Sequence, residues 1–436
     1  YGDHPNPAIT ERLDKELHGI IENGYSVTYY IAHLIIKKAN EDGYIVGSRG
    51  SVGSSFVATM SGITEVNPLK PHYVCPHCHH FEWSTDPKIR SGFDLPEKKC
   101  PECGEMMVAN GQSIPFETFL GFNAEKVPDI DLNFPLDYQS KAHAYARTLL
   151  STKEENERIE KGLPISNPHV IRAGTIATVE DKNAFGYIHG YYDRVVHADW
   201  GKVNKAWVAF LATRCTGVKR TTGQHPGGIV VIPADMDIFD FTPYQHPADD
   251  PTAEWLTTHY EFASMHDSVL KLDLLGHVDP QALRMMSLLT KIDVRSIPMN
   301  DKKVLSLFSS TKALGMKTNP LGFETGAIAL PEFGTNFVQG LLKEAKPKTF
   351  NDLLIISGLS HGTDVWNNNA EDLIKDKTAT LDEVIGCRDD IMNTLIDYGV
   401  PNSMAFTIME KVRHGKGLTP EMEKVMHENN VPQYYI

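Results

Sequence analysis

Pro128-Asp129-Ile130-Asp131-Leu132-Asn133-Phe134 reads as a strand with two opposed faces. Alternate side chains of a strand point to opposite sides, so Asp129, Asp131 and Asn133 share one face while Ile130, Leu132 and Phe134 bury the other. Two carboxylates about 7 Å apart along a strand repel each other, and a purely structural segment gains nothing from them. Divalent cations relieve that repulsion, because Mg²⁺ prefers carboxylate oxygens together with substrate phosphates. An edge strand with a solvated polar face shows the same alternation, so these seven residues alone leave both readings open.

Two further stretches favour the metal reading. Gly43–Val46 is expected to form a short buried strand that runs into Gly47-Ser-Arg-Gly-Ser-Val-Gly-Ser-Ser55, with Phe56–Met60 opening a helix. Strand, Gly/Ser loop and helix start is a geometry in which backbone N–H groups cradle phosphate, although Gly/Ser loops are also plain turns. No Gly-Lys-Ser/Thr follows, so this is not a Walker A loop. Downstream, Val269-Leu-Lys-Leu-Asp-Leu-Leu-Gly276 is a nearly continuous apolar strand carrying Lys271 and Asp273 on one side. A carboxylate there is costly unless it is ion-paired or metal-bound. An acidic strand, a lone distant carboxylate and a phosphate loop together form the set that two-metal phosphoryl transfer requires.

Cys75-Pro-His-Cys78 and Cys100-Pro-Glu-Cys103-Gly104 are separated by 21 residues, close to the spacing of a zinc ribbon. Four thiolates with no open position predict one structural Zn²⁺ ion on Cys75, Cys78, Cys100 and Cys103. The neighbouring His77, His79 and His80 read as solvated. Cys215 and Cys387 stand alone, and six cysteines in 436 residues describe a reducing, cytoplasmic compartment. No apolar run approaches the roughly 18 residues of a membrane span. The net charge of -14 cautions against nucleic acid as a partner, but a binding channel needs only a local basic lining. The chain opens on Tyr1 rather than Met, as expected of a fragment.

Elsewhere, residues 7–42 show two amphipathic helices parted at Gly24. Residues 137–215 are mostly helical, with extended character at Val170–Ala177 and then at Val218–Val231. The second extended run contains Lys219-Arg-Thr-Thr-Gly-Gln-His-Pro-Gly-Gly228, whose basics, hydroxyls and glycines suit close approach to a phosphate backbone. From 280 onward the pattern is helical, with landmarks at Gly358–Trp366, Gly386–Asp390 and Lys411–Gly417.

Val127–Phe134, Lys271–His277 and Gly47–Ser55 closely resemble the C-family bacterial replicative DNA polymerases, the α subunits of DNA polymerase III. The four-cysteine ribbon, Cys215–Gly228, Ser360–Trp366 and Val384–Asp390 resemble the PolC-type branch. The likeness runs over essentially the whole chain. It implies an α+β fold: a polymerase β-like nucleotidyltransferase palm, with a helical thumb and mainly helical fingers. The palm would comprise 1–136 and 216–290, with the zinc-binding insertion at about 71–108. The thumb would be 137–215, and 291–436 would be incomplete fingers.

By the same resemblance Asp129, Asp131 and Asp273 form the catalytic triad. Asp129 and Asp131 would bridge two Mg²⁺ ions, and Asp273 would hold the one that activates the primer 3′-OH. Gly50 and Ser51 match the pair whose amides meet the incoming dNTP. Arg388, Arg413 and Lys416 are candidates for the triphosphate, and Lys219, Arg220, His225 and Lys271 for primer–template DNA. A sliding clamp and other replisome subunits would be partners of the full-length protein; no membrane is implied. The PHP, exonuclease and clamp-binding parts of the family are not evident. A DNA-binding core without synthesis and an untemplated nucleotidyltransferase are the rival readings.

Overall fold

Helix formation starts at Asn6, whose side chain accepts the Ala8 N–H at 3.0 Å, while Pro7 fills the first helical position where no N–H is needed. The helix runs Pro7–Glu22 and the next runs Ser26–Glu41, with Gly24 between them at φ +74°. The two helices parted at Gly24 are those expected. The short strand expected at 43–46 lies later, and β1 is Gly47–Arg49. The reason is the helix ending: Gly43 takes φ +80° and the Tyr44 N–H returns to the Ala39 carbonyl at 2.9 Å, so these residues close a helix rather than open a strand.

The computed structural model describes residues 1–180, 184, 186, 204–247, 250–265, 268–317, 319 and 322–436. They form two units, one of Tyr1–Lys38, Gly47–Ile130 and Ala282–Ile436, the other of Ala39–Val46 and Asp131–Gln281. No described helix is long and apolar enough to cross a membrane.

In the first unit, strands β2 (His72–Val74), β3 (Phe81–Trp83) and β4 (Val108–Asn110) form a small antiparallel sheet in the order β3-β2-β4. Its carboxyl-terminal part is helical, as expected. Helices Asn336–Ala345 and Phe350–Leu359 bury Leu341, Leu342, Ile355, Ile356 and Leu359 against Trp366. A second core joins helices Arg388–Asp397, Asn402–Arg413 and Pro420–Glu428 through Ile391, Leu395, Ile408, Met409 and Met426. The Gly358 and Gly386 landmarks explain each other. A Cβ on Gly358 would lie 1.8 Å from the Gly386 carbonyl oxygen, so helix and chain meet backbone to backbone.

The second unit is built on a mixed sheet of β5 (Asp131–Pro135), β6 (Val170–Thr178), β7 (Lys219–Val231), β8 (Tyr244–Gln245), β9 (Thr257–Glu261) and β10 (Leu270–His277). They stand in the order β5-β10-β7-β6-β9-β8. β5 and β10 are parallel, whereas β7 runs antiparallel to both β10 and β6. Ile171, Val230, Ile232 and Val269 pack one face. Helix Gln139–Leu150 belongs to this unit, with Gln139 donating to the Leu274 carbonyl at 2.9 Å. The charged run at 153–161 is the exposed helix Lys153–Glu160, closed by a Thr152–Glu155 capping box. Helix Lys205–Cys215 starts at its cap Asn204.

One irregularity shapes this sheet. β6 pairs Arg172 with Ile229 and then Gly174 with Gln224, so His225–Gly228 on β7 stands opposite Ala173 alone. Such a bulge bends its strand and re-aims a side chain. The glycines are required, because a Cβ on Gly227 would meet the Leu275 side chain at 2.4 Å and the Leu274 carbonyl at 3.0 Å.

Candidate active site

The strand expected over 128–134 begins only at Asp131, so Asp129 and Ile130 lie just before β5; Leu132 and Phe134 on β5 and Ile130 ahead of it are each 2 % exposed or less. Asp131 stands opposite Asp273 in the parallel β5–β10 register. Asp129 precedes Asp131 by two residues, and one oxygen from each of Asp129, Asp131 and Asp273 lies within 4.8 Å of the others. At that spacing three anions repel by about 3 kcal/mol per pair at an effective dielectric of about 20. Some positive charge must answer them.

Part of the answer is Lys271, two residues before Asp273 on the same face, whose Nζ sits 2.5 Å from Asp273 Oδ2. The sequence reading offered Lys271 to DNA phosphates; in this structure its ammonium is held by the carboxylate. Asp273 Oδ1 is buried and takes part in no hydrogen bond among the described residues. Its neighbour is His225 Nδ1 at 3.5 Å. That nitrogen already accepts the Gly228 N–H at 2.6 Å and the Gly227 N–H at 3.2 Å, so it has no proton to give Asp273. Burial, aided by Lys271 and Arg172, pushes the His225 imidazole below its ordinary value against the opposing pull of Asp273. A buried bare carboxylate oxygen beside two further carboxylates suits a hard divalent cation.

Arg172 holds the bulge that presents His225. Its NH2 group donates to the His225 and Pro226 carbonyls at 2.6 and 2.7 Å, and its NH1 group donates to His143 Nδ1 at 2.7 Å. Burial brings the guanidinium down to about 10, opposed by Asp273, and burial with Arg172 brings His143 down to about 4. Neutral His143 then accepts from Arg172 and faces the Gly227 carbonyl with Nε2 at 3.3 Å. The sequence reading missed both residues. The signal for Arg172 was present, since it is a cation inside the apolar run Val170-Ile-Arg-Ala173, the same cue that singled out Asp273.

In the Gly/Ser loop, Gly50 takes φ +74° and Gly50–Ser54 forms a tight 3₁₀ turn. Ser55 caps helix Phe56–Met60 by accepting the Ala58 N–H at 3.2 Å. Glu16, fully buried, accepts the Ser55 hydroxyl and the Val57 N–H, each at 3.0 Å, and pairs with Arg12 at 2.5 Å. The helix-start half of the phosphate expectation is therefore corrected: a buried carboxylate and a serine already occupy those amides. Only the Gly50–Ser51 turn is left for that role.

Three cations from separate parts of the chain converge on one acid. Lys126 Nζ lies 2.8 Å from Glu410 Oε2, and Arg413 Nε lies 3.2 Å from Oε1, while Arg388 approaches that oxygen to 4.0 Å. Burial acts to raise the Glu410 carboxyl, yet Lys126, Arg413 and Arg388 together hold it below the ordinary carboxylate range. Arg388 also donates to the Thr118 carbonyl at 2.7 Å, and Thr118 Oγ1 meets Ser54 Oγ at 2.7 Å. Lys416 and Lys219 are exposed; the side chain of Arg220 lies outside the described residues.

The ribbon forms as its spacing predicts. One Sγ from each of Cys75, Cys78, Cys100 and Cys103 lies within 4.8 Å of the others, with Cys75–Cys103 at 3.4 Å and Cys78–Cys100 at 3.5 Å. A tetrahedral ion with metal–sulfur bonds of about 2.3 Å sets thiolates about 3.8 Å apart, so the group fits one. The two knuckles are equivalent turns: the Cys75 N–H reaches the His80 carbonyl at 2.9 Å, and the Cys100 N–H the Glu105 carbonyl at 2.7 Å. His79 at φ +60° occupies the place of Gly104 at φ +79°. His77 and His79 are exposed as expected, but His80 is half-buried and pairs with Glu82 at 3.0 Å.

Comparison with known proteins accords with this geometry. The bacterial DNA polymerase III alpha NTPase domain matches residues 1–198 and 197–276, and the bacterial DNA polymerase III alpha subunit finger domain matches 279–431. The chain is 54% identical over 438 residues to the DNA polymerase III PolC-type of Lacticaseibacillus paracasei. It is 55% identical over 436 residues to the protein of that name from Listeria innocua. Each alignment covers 100% of this chain and 29% of the relative, so the chain spans under a third of their length. With family models matched over 1–276 and 279–431 and relatives 54–55% identical along its whole length, the chain belongs to the bacterial DNA polymerase III alpha family.

Proposed function

We propose that this chain carries the polymerase chemistry of a PolC-type replicative enzyme: template-directed transfer of a nucleotide from dNTP to a primer 3′-OH. The observation that carries the reading is the convergence of Asp129, Asp131 and Asp273 within 4.8 Å, the last two facing each other on a parallel strand pair, in a member of this family. Asp129, Asp131 and Asp273 would hold two Mg²⁺ ions, Asp273 through Oδ1, Oδ2 being engaged by Lys271. Bound there, the ions lower the pKa of the attacking hydroxyl and neutralise the leaving pyrophosphate. The protein's own part is to fix Asp131 and Asp273 on paired strands with Asp129 just ahead of them, hold His225 beside Asp273, and bring cations to the phosphates.

The Gly50–Ser51 turn is assigned to the triphosphate together with Arg388, Arg413 and Lys416. Lys219, Arg220 and His225 are assigned to primer–template DNA. The four cysteines are assigned one structural Zn²⁺, since four thiolates leave no position for a substrate. Residues 1–136 and 216–290 would form a β-like nucleotidyltransferase palm, with the metal ribbon inserted at about 71–108. The thumb would be 137–215 and the fingers 291–436; helix Gln139–Leu150 and β6 lie in the same compact unit as most of the second palm segment. In the longer protein a sliding clamp and replisome subunits would be partners, in the cytoplasm.

Primer extension tests the reading. Mg²⁺-dependent incorporation directed by the template supports it. Steeply salt-dependent DNA binding without incorporation would favour a DNA-binding core, and addition without template an untemplated transferase.

A further inference from the structure

Glu410 is the one acid, among the described residues, that ion-pairs with Lys126, Arg388 and Arg413. The three cations come from separate stretches: the approach to Asp129, the first residue of helix Arg388–Asp397 and the last of helix Asn402–Arg413. One carboxylate against three cations leaves positive charge in excess, and Asp389, which interacts electrostatically with Arg388, answers only part of it. Asp390 is engaged elsewhere, accepting the Gly386 and Cys387 N–H groups at 2.9 and 3.0 Å. Lys416, exposed three residues beyond Arg413, adds to the excess. A structural ion pair needs one cation. Gathering three costs mutual repulsion that solvent screens in part and a more highly charged anion relieves further.

We propose that Glu410 is a placeholder for the nucleotide's phosphates. Its carboxylate keeps Lys126, Arg388 and Arg413 gathered when no nucleotide is bound, and an incoming polyphosphate displaces it. The proposal rests on the polymerase reading for the identity of the nucleotide; recognition of a polyphosphate follows from the charges alone. Arg388 is already oriented, because its NH2 group is fixed on the Thr118 carbonyl while NH1 faces Glu410. A triphosphate carries several negative charges and can replace a carboxylate on three cations, whereas a single phosphate group carries at most two and competes poorly. Glu410 thus sets selectivity for polyphosphate by competing with it rather than by touching it.

The experiment is calorimetric titration of the 436-residue chain, without DNA, using inorganic tripolyphosphate and orthophosphate as probes. Glu410→Gln is expected to bind tripolyphosphate about three- to tenfold more tightly than the parent, the range that removal of a partly exposed ion-pairing competitor allows. The preference over orthophosphate should narrow, and Arg413→Gln should bind more weakly. Equal or weaker tripolyphosphate binding by Glu410→Gln, with unchanged melting temperature, overturns the proposal. Should that variant melt lower, Glu410→Asp, which keeps the charge one methylene further from Lys126, must still show a smaller tightening; none overturns it equally. Primer extension by the unaltered chain separates the two failures. Tightening without extension retains the Glu410 role and rejects the polymerase reading, and extension without tightening does the reverse.

Discussion

Asp131 and Asp273 face each other at one register position on the parallel strands β5 and β10. The sheet backbone fixes their separation, and replacing either side chain leaves the ladder that positions the other. Asp273→Asn keeps shape and volume but removes the charge. Primer extension should fall by about a thousandfold or more while the circular dichroism spectrum is unchanged. Extension at the parent rate would remove Asp273 from the chemistry.

The four-cysteine group should hold about one zinc per chain by elemental analysis. Cys100 is buried, and Cys100→Ser should lose the metal and lower the melting temperature, since a structural metal contributes directly to folding stability. Purified protein without zinc would contradict the assignment.

Arg172 answers three acceptors at once: the His225 and Pro226 carbonyls and His143 Nδ1. Arg172→Met removes every donor from a buried site and should cost about 3 kcal/mol or more in urea unfolding. A loss below about 1 kcal/mol would show that water replaces the guanidinium readily.

Two glycine substitutions should act in opposite directions. Gly358→Ala drives a Cβ to 1.8 Å from the Gly386 carbonyl oxygen and should destabilise by about 2 kcal/mol. Gly340, inside helix Asn336–Ala345, has nothing within 4 Å of an added Cβ, and Gly340→Ala should stabilise by about 0.5–1 kcal/mol. Equal effects would show that helix propensity, not the backbone contact, governs both.

His143 gives stability a pH dependence. Its value falls from 6.5 in the unfolded chain to about 4 in the folded one, so the unfolded chain binds more protons between these values. The contribution is complete above pH 6.5 and is lost as pH falls through that window, the loss reaching about 3 kcal/mol by pH 4. Urea midpoints of His143→Gln should fall less steeply between pH 6.5 and 4 than those of the parent. Parallel curves would rule out His143 as the source.

The parts of the site legible in the sequence are those written in local pattern. Alternation at 128–134 gave the buried and polar faces of β5, and the paired CxxC turns gave the ribbon. An acid inside an apolar run marked Asp273. What pattern could not show is which charge answers which. Lys271 looked free for DNA because its partner, two residues away, had already been allotted to metal. Glu16 and Glu410 sat in unremarkable amphipathic helices, yet one takes the amides behind the Gly/Ser loop and the other collects Lys126, Arg388 and Arg413. Such roles depend on contacts 40 to 280 residues apart, as between Glu16 and Val57 or Lys126 and Glu410, and no short-range spacing encodes them.

The bulge at His225–Gly228 also divides its strand mechanically. Four residues, about 13 Å of extended chain, are stored opposite the single residue Ala173. On one side, Gly228–Val231 is locked to β10 and the carboxylates. On the other, Lys219–Gln224 pairs with the outer half of β6. Arg172 pins the His225 and Pro226 carbonyls inside this loop, so the two halves of β7 are anchored separately, and a change in Lys219–Gln224 should leave the Gly228–Asp273 pairing in place.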